Sequence, residues 1–220
     1  MTFKLLMLCA LLSFSANVLS ADNLWVGSDL NGQPCKGRAP NYGPYDYSKR
    51  TSKYPANLAI VEENHFTPEV ENLIKGNTSI TPAGDIDYTL IAWPNHHRAL
   101  LSAINYELLI RAKVVNDRLT SPPECYLKRA IHFSPKDAVS YSLFGYYLKK
   151  VGALNDAVKY YEKALDLEPN NPKFAYSFSL LLIDLKRYDE AVKYAKAAYQ
   201  HRGTPDGLKN MLIKLNVWHE

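Results

Sequence analysis

The sequence predicts an all-α protein built from stacked helical hairpins, on three observations. First, DAVKYYEKALDL, which starts at Asp156, returns as EAVKYAKAAYQ from Glu190, an offset of 34 residues. Second, prolines punctuate the chain: Pro135 and Pro169 are 34 residues apart and Pro94 lies 41 before Pro135, each closing an apolar-periodic segment. Third, the apolar residues have helical spacing, with Tyr141, Phe144, Gly145 and Leu148 at i, i+3, i+4 and i+7 and then Ala157, Tyr161 and Ala164 on the next segment. Each helix thus has one buried stripe, and a lone hairpin could not cover both, so neighbours must stack.

In chain order, residues 1–20 read as a secretory signal peptide: Lys4, the apolar run Leu5–Leu12, then the small-residue cut site Val18-Leu19-Ser20-Ala21. The apolar run is shorter than the roughly 20 residues a bilayer-spanning helix needs. Cys9 lies inside that run behind bulky Leu8, a poor lipidation site. Cleavage after Ser20 leaves a formal charge of +3, and no run of five or six basic residues points to nucleic acid. The remaining cysteines, Cys35 and Cys125, would fold where disulfides persist, and a bridge between them is expected. It would close a loop of about 90 residues, for which chain entropy allows several kcal/mol.

Residues 21–83 form an irregular arm rich in Tyr and Pro with one short helix. Prolines at 34, 40, 44 and 55 and glycines at 32, 37 and 43 leave no helical period to residue 57, while Tyr42, Tyr45, Tyr47 and Tyr54 suit an ordered coil lying on a surface. The short helix has Thr67 as N-cap, Pro68 at its first position and Gly76 as its stop. Helix follows helix from Asp85, and the seven extra residues of the 41-residue interval fall at Val114–Pro122.

Aligning residues 138–171 with 172–205 gives seven identities without a gap, among them Phe144/Phe178, Leu148/Leu182, Ala157/Ala191 and Ala164/Ala198. The first unit closely resembles the tetratricopeptide repeat, whose pattern is met by Tyr141, Phe144-Gly145, Leu148, Gly152, Ala157, Tyr161, Ala164 and Pro169. Its successor keeps Phe178, Leu182, Tyr188, Ala191, Ala195 and Ala198, with Gly203 for the closing proline. A degenerate unit spans 97–135, and residues 205–218 look like the solvating cap helix that ends such arrays. The resemblance covers 84–218 and implies a short right-handed superhelical solenoid. NYGPYDY, HFTPEVENL and ECYLKRAIHFSP are also similar to a group of secreted bacterial repeat proteins, which implies a periplasmic address.

Chemistry is sparse. His96 and His97 are adjacent, so their side chains diverge by about 100° on a helix and do not chelate as an i, i+4 pair does. Asn95 is expected to cap a helix whose exposed first turn carries both histidines. Asp85, Asp87 and Asp189-Glu190 sit at helix starts, where the dipole favours them, and Glu62-Glu63 reads as a solvated face. No nucleophile elbow, phosphate loop or zinc spacing is present, so neither enzyme activity, cofactor nor bound metal is expected. A metal- or small-ligand-binding accessory protein using His96 and His97 is the alternative. The family resemblance implies a partner groove along the first helix of each unit. Carried over, its positions are Arg98, Leu101 and Asn105, then Val139, Ser142, Tyr146, Lys149 and Lys150, then Lys173, Tyr176 and Leu180. Arg98, Asn105, Tyr146, Lys149, Lys173 and Tyr176 would suit a protein or peptide segment with acidic or C-terminal carboxylates and an apolar anchor. The N-terminal coil, pinned by its cysteine, is a competing occupant.

Overall fold

The computed structural model describes residues 25–219, so the segment read as a signal peptide lies outside it. The described residues form ten α-helices: α1 (Pro55–His65), α2 (Pro68–Glu71), α3 (Pro82–Ala92), α4 (His97–Arg111), α5 (Pro123–Phe133), α6 (Ala138–Lys150), α7 (Leu154–Leu167), α8 (Pro172–Asp184), α9 (Tyr188–Tyr199) and α10 (Gly207–Lys214). They pack as successive hairpins: α4 with α5, α6 with α7 and α8 with α9, flanked by α1–α3 at one end and α10 at the other. No described helix is long and apolar enough to cross a membrane.

The three prolines build one junction three times. Trp93, Ser134 and Glu168 precede them with φ of −130°, −131° and −135° and ψ of 81°, 77° and 77°. A proline excludes its predecessor from the helical region, so each helix must stop there. The amide of the residue three positions on, His96, Asp137 or Asn171, donates back to the carbonyl of that predecessor, and the next helix begins. The extra residues lie elsewhere, in the link between α4 and α5, and leave the junction unchanged.

Small residues set how closely the hairpins close. A Cβ on Gly145 would stand 2.8 Å from the Tyr161 ring, so α6 and α7 approach over a bare backbone. Ala157, Ala164, Ala191, Ala195 and Ala198 are likewise fully buried on the second helices. One apolar core then runs from Phe66 and Val70 through Leu100, Phe144, Tyr161 and Phe178 to Leu208 and Leu212. The turns inside the last two hairpins coincide: Gly152 (φ 87°) and Lys186 (φ 59°) both turn left-handed, and the next amide reaches back to Leu148 or Leu182.

Several expectations fail at the ends. The arm contains a second helix, α1, because Leu58, Ala59, Ile60 and Val61 are consecutive and circle the axis, giving no stripe to read; of α1, Val61 is the buried residue. Helix α2 ends at Glu71 and the chain turns left-handed at Leu73 (φ 62°), three residues before Gly76, and the Thr67 side chain makes no capping bond. The cap helix is less polar than expected, with Ile213 51% exposed beside Met211 and Leu215. The tyrosines form an ordered coil: Tyr45, Tyr47 and Tyr54 ring Trp93 at 5.1, 6.2 and 6.1 Å between centroids.

Candidate functional site

At the α3–α4 junction the expected roles are exchanged. His96, not Asn95, caps α4: its Nδ1 accepts the Ala99 amide at 3.1 Å. The ring is fully buried, and its Nε2 lies 2.9 Å from Glu62 Oε1, so Glu62 turns toward the protein and is partly covered while Glu63 is exposed. Burial pushes the His96 pKa down, and the bond from His96 leads the effects that hold the Glu62 carboxyl low. Neutral His96 therefore carries its proton on Nε2. Both nitrogens are engaged, which leaves no lone pair for a metal. His97 is partly covered, its Nε2 lying 2.9 Å from Asp137 Oδ2. Among the described residues, no group of three or more His, Cys, Asp or Glu side chains is placed to hold a metal ion.

Asn95 turns inward instead and ties the arm to the array. Its Oδ1 accepts the Tyr47 amide at 2.9 Å, while its Nδ2 donates to Asp46 (2.9 Å) and Asp137 (3.2 Å). Burial would raise the Asp137 carboxyl, yet hydrogen bonds from His97, Ser140 and Asn95 outweigh it and keep the pKa low. Asp85 and Asp87 are equally buried and do more than decorate a dipole. Asp85 accepts the amides of Asn77, Thr78 and Ser79, together with the Thr78 hydroxyl, closing the loop before α3. Asp87 binds Arg38 of the arm at 2.7 Å and accepts the Tyr126 hydroxyl. His65 lies 2.9 Å from Asp85 and stacks on Tyr88 at 3.8 Å.

The groove positions divide into two groups. Arg98 is already engaged: Nε and Nη2 bind Glu71 at 2.8 and 2.6 Å, and Nη1 reaches Glu62 at 3.4 Å. The segment α1–α2 therefore covers the start of α4, whereas Cys35 is bonded to Cys125 on α5. Asn105, two turns further along α4, is half-buried, and Leu101 is exposed. Lys149 pairs across to Asp184 of α8 at 2.9 Å, and Lys150 lies over the Tyr146 ring at 5.4 Å. Lys173 and Tyr176 are brought together differently. With Pro172 and Ser177 they face the turn Arg202–Pro205 across a cleft of about 470 Å³. That turn was missed in the sequence, where Gly203 marks only a lost proline. It is held by Thr204, whose hydroxyl donates to Ala198 and His201 carbonyls, and by Tyr199, whose hydroxyl donates to Pro205. Two cations, one aromatic wall and an open side can hold a carboxylate next to an apolar group.

Comparison with known proteins gives one family. The tetratricopeptide repeat model matches residues 148–205, the span from the end of α6 through α9 and the turn that closes the cleft. No curated protein matches. Among solved structures, the crystal structure of MamA aligns over 60% of this chain and 70% of its own, with 20% identity and a TM-score of 0.42. Residues 148–205 thus match the tetratricopeptide repeat family, and the 34-residue pattern and the stacked antiparallel hairpins of the described residues agree with that match.

Proposed function

We propose that the protein is a non-enzymatic interaction scaffold or assembly adaptor of the bacterial cell envelope. It binds an extended segment of a partner protein through the first helices of its repeats. The cleft between Tyr176 and the Arg202–Pro205 turn carries the reading, because it joins Lys173 and Arg202 to an aromatic wall on the helix that such repeats use for binding. The occupant that fits is a peptide ending in, or rich in, carboxylates with one apolar side chain. Arg98 and Lys149 play a smaller part in this proposal, since each already has a carboxylate partner. The charged, apolar and small-residue order of residues 1–20 and the Cys35–Cys125 bond support an exported address.

The test is cross-linking and co-purification from periplasmic extract, comparing wild type with Lys173→Glu, Tyr176→Ala and Arg202→Glu. Loss of the same partner from all three is expected. Recovery of unchanged proteins by all three variants rules out the cleft. Intact-mass measurement of the exported chain should show a start at Ala21; retention of residues 1–20 would remove the envelope address.

A further inference from the structure

A second groove shares no residue with the cleft at Tyr176. Phe144 and Leu148 of α6 form its floor, and Tyr160 of α7 packs on Phe144 with centroids 4.1 Å apart. One wall is α7, with Asp156, Lys159 and Lys163; the other is α5 with Lys128 and, beside it, Leu30 of the arm. The volume is about 580 Å³, within the range of ligand sites.

Leu30 is held in place by bonds rather than by burial. Residues 27–35 fold back on themselves: the Cys35 amide donates to Gly27, and the Asp29 carboxylate accepts the amides of Asn31 and Gln33. Three ties then fix this loop to α5. Cys35 is bonded to Cys125, the Leu30 amide donates to Glu124 Oε1 at 2.9 Å, and the Lys128 ammonium donates to the Ser28 carbonyl. Glu124 is itself buried and accepts the Tyr147 hydroxyl of α6 at 2.7 Å. Despite these restraints the Leu30 side chain stays 45% exposed, poised over an apolar floor. A wall organised before binding loses little freedom when a ligand arrives. Three lysines face one aspartate, so the rim keeps a net positive charge. Lys128 donates to a neutral group, the Ser28 carbonyl, and the Lys159–Asp156 contact at 3.3 Å is solvent-exposed on both sides and weak, unlike the more covered Lys149 pair or the bidentate Arg98 pair. One repeat later Glu162 takes the place of Lys128, so the basic rim belongs to this unit.

We propose that this groove docks a segment of a partner protein carrying one aromatic or branched aliphatic side chain flanked by acidic residues. The apolar side chain enters between Leu30 and Phe144, and the carboxylates meet Lys128, Lys159 and Lys163. Because the arm supplies a wall, docking requires the Cys35–Cys125 bond.

The probe is a set of fluorescein-labelled synthetic dodecapeptides with one Phe, Leu or Trp between Glu and Asp residues, and matched Lys-flanked peptides, titrated into the purified protein by anisotropy. The acidic set should bind, more weakly at high salt. Lys159→Glu with Lys163→Glu, and separately Leu30→Ser, should weaken it by about tenfold or more. Cys35→Ser with Cys125→Ser should do the same at unchanged helical circular dichroism. Leu30 is at an exposed tip, so its variant keeps the test decisive if the cysteine variant unfolds. All titrations are made with and without a Lys173→Glu, Tyr176→Ala background, which disables the cleft of the proposed function, and the acidic set should still bind there. The proposal fails if no acidic peptide binds in the Lys173→Glu, Tyr176→Ala background, if Lys-flanked peptides bind equally, or if Leu30→Ser and the lysine reversals change nothing; binding to the unaltered protein that is lost in that background assigns it to the Tyr176 cleft instead.

Discussion

His96 Nε2 lies 2.9 Å from Glu62 Oε1 while its Nδ1 accepts the Ala99 amide, so one buried ring closes α4 and fastens it to α1. Protonation of His96 would place a hydrogen on Nδ1, where the Ala99 amide needs the lone pair. Because the folded pKa lies below the unfolded value of about 6.5, the unfolded chain binds more protons in the window beneath it. The stabilisation is complete above that value and is lost as pH falls from it through the folded pKa. Glu62 stays ionised there, since its own pKa is lowered. Urea midpoints should drop between pH 7.5 and 5.5, and His96→Asn, which can still cap, should flatten the drop. Parallel slopes for the two proteins would remove His96 as the cause.

Asn95 sits between two carboxylates, donating to Asp46 and Asp137. Asn95→Asp keeps the shape and replaces both donations with like-charge contacts in a buried site. A loss of about 2–4 kcal/mol at neutral pH is expected from unsatisfied groups and repulsion. Chemical denaturation at pH 7 and pH 4.5 checks it: the deficit relative to wild type should shrink at the lower pH, as one carboxyl of the cluster takes up a proton.

Gly145→Ala puts a methyl 2.8 Å from the Tyr161 ring, which is itself buried and has no slack. Overpacking of this kind costs about 1–3 kcal/mol. Thermal melting measures it, and a double variant with Tyr161→Leu should recover part of the loss; equal melting of single variant and wild type would mean that α6 and α7 can separate freely.

Lys186 holds a left-handed turn that Gly152 holds one repeat earlier. Lys186→Gly should therefore stabilise by about 0.5–1 kcal/mol, and Gly152→Lys should destabilise by a similar amount. Opposite shifts in the urea midpoint with unchanged m-values would establish the equivalence of the two turns.

The helices from α4 to α9 were legible because their information is local. Tyr141, Phe144 and Leu148 share a face by spacing alone, and a proline stops a helix wherever the chain goes. Helix α1 was illegible because its apolar residues adjoin instead of recurring. The candidate sites were half legible: Lys173 and Tyr176 followed from repeat register, but the Arg202–Pro205 turn that makes them a cleft did not.

By itself the sequence determined the repeat, its 34-residue period, its small residues at Gly145 and Ala157 and the all-helical class. The tertiary structure alone decided which polar groups are buried and with whom. His97 finds Asp137 across 40 residues, and Leu30 finds Glu124 across 94. A helical stripe repeats along the chain and can be counted, whereas the partner of a buried carboxylate depends on which surfaces stacking and the arm bring together.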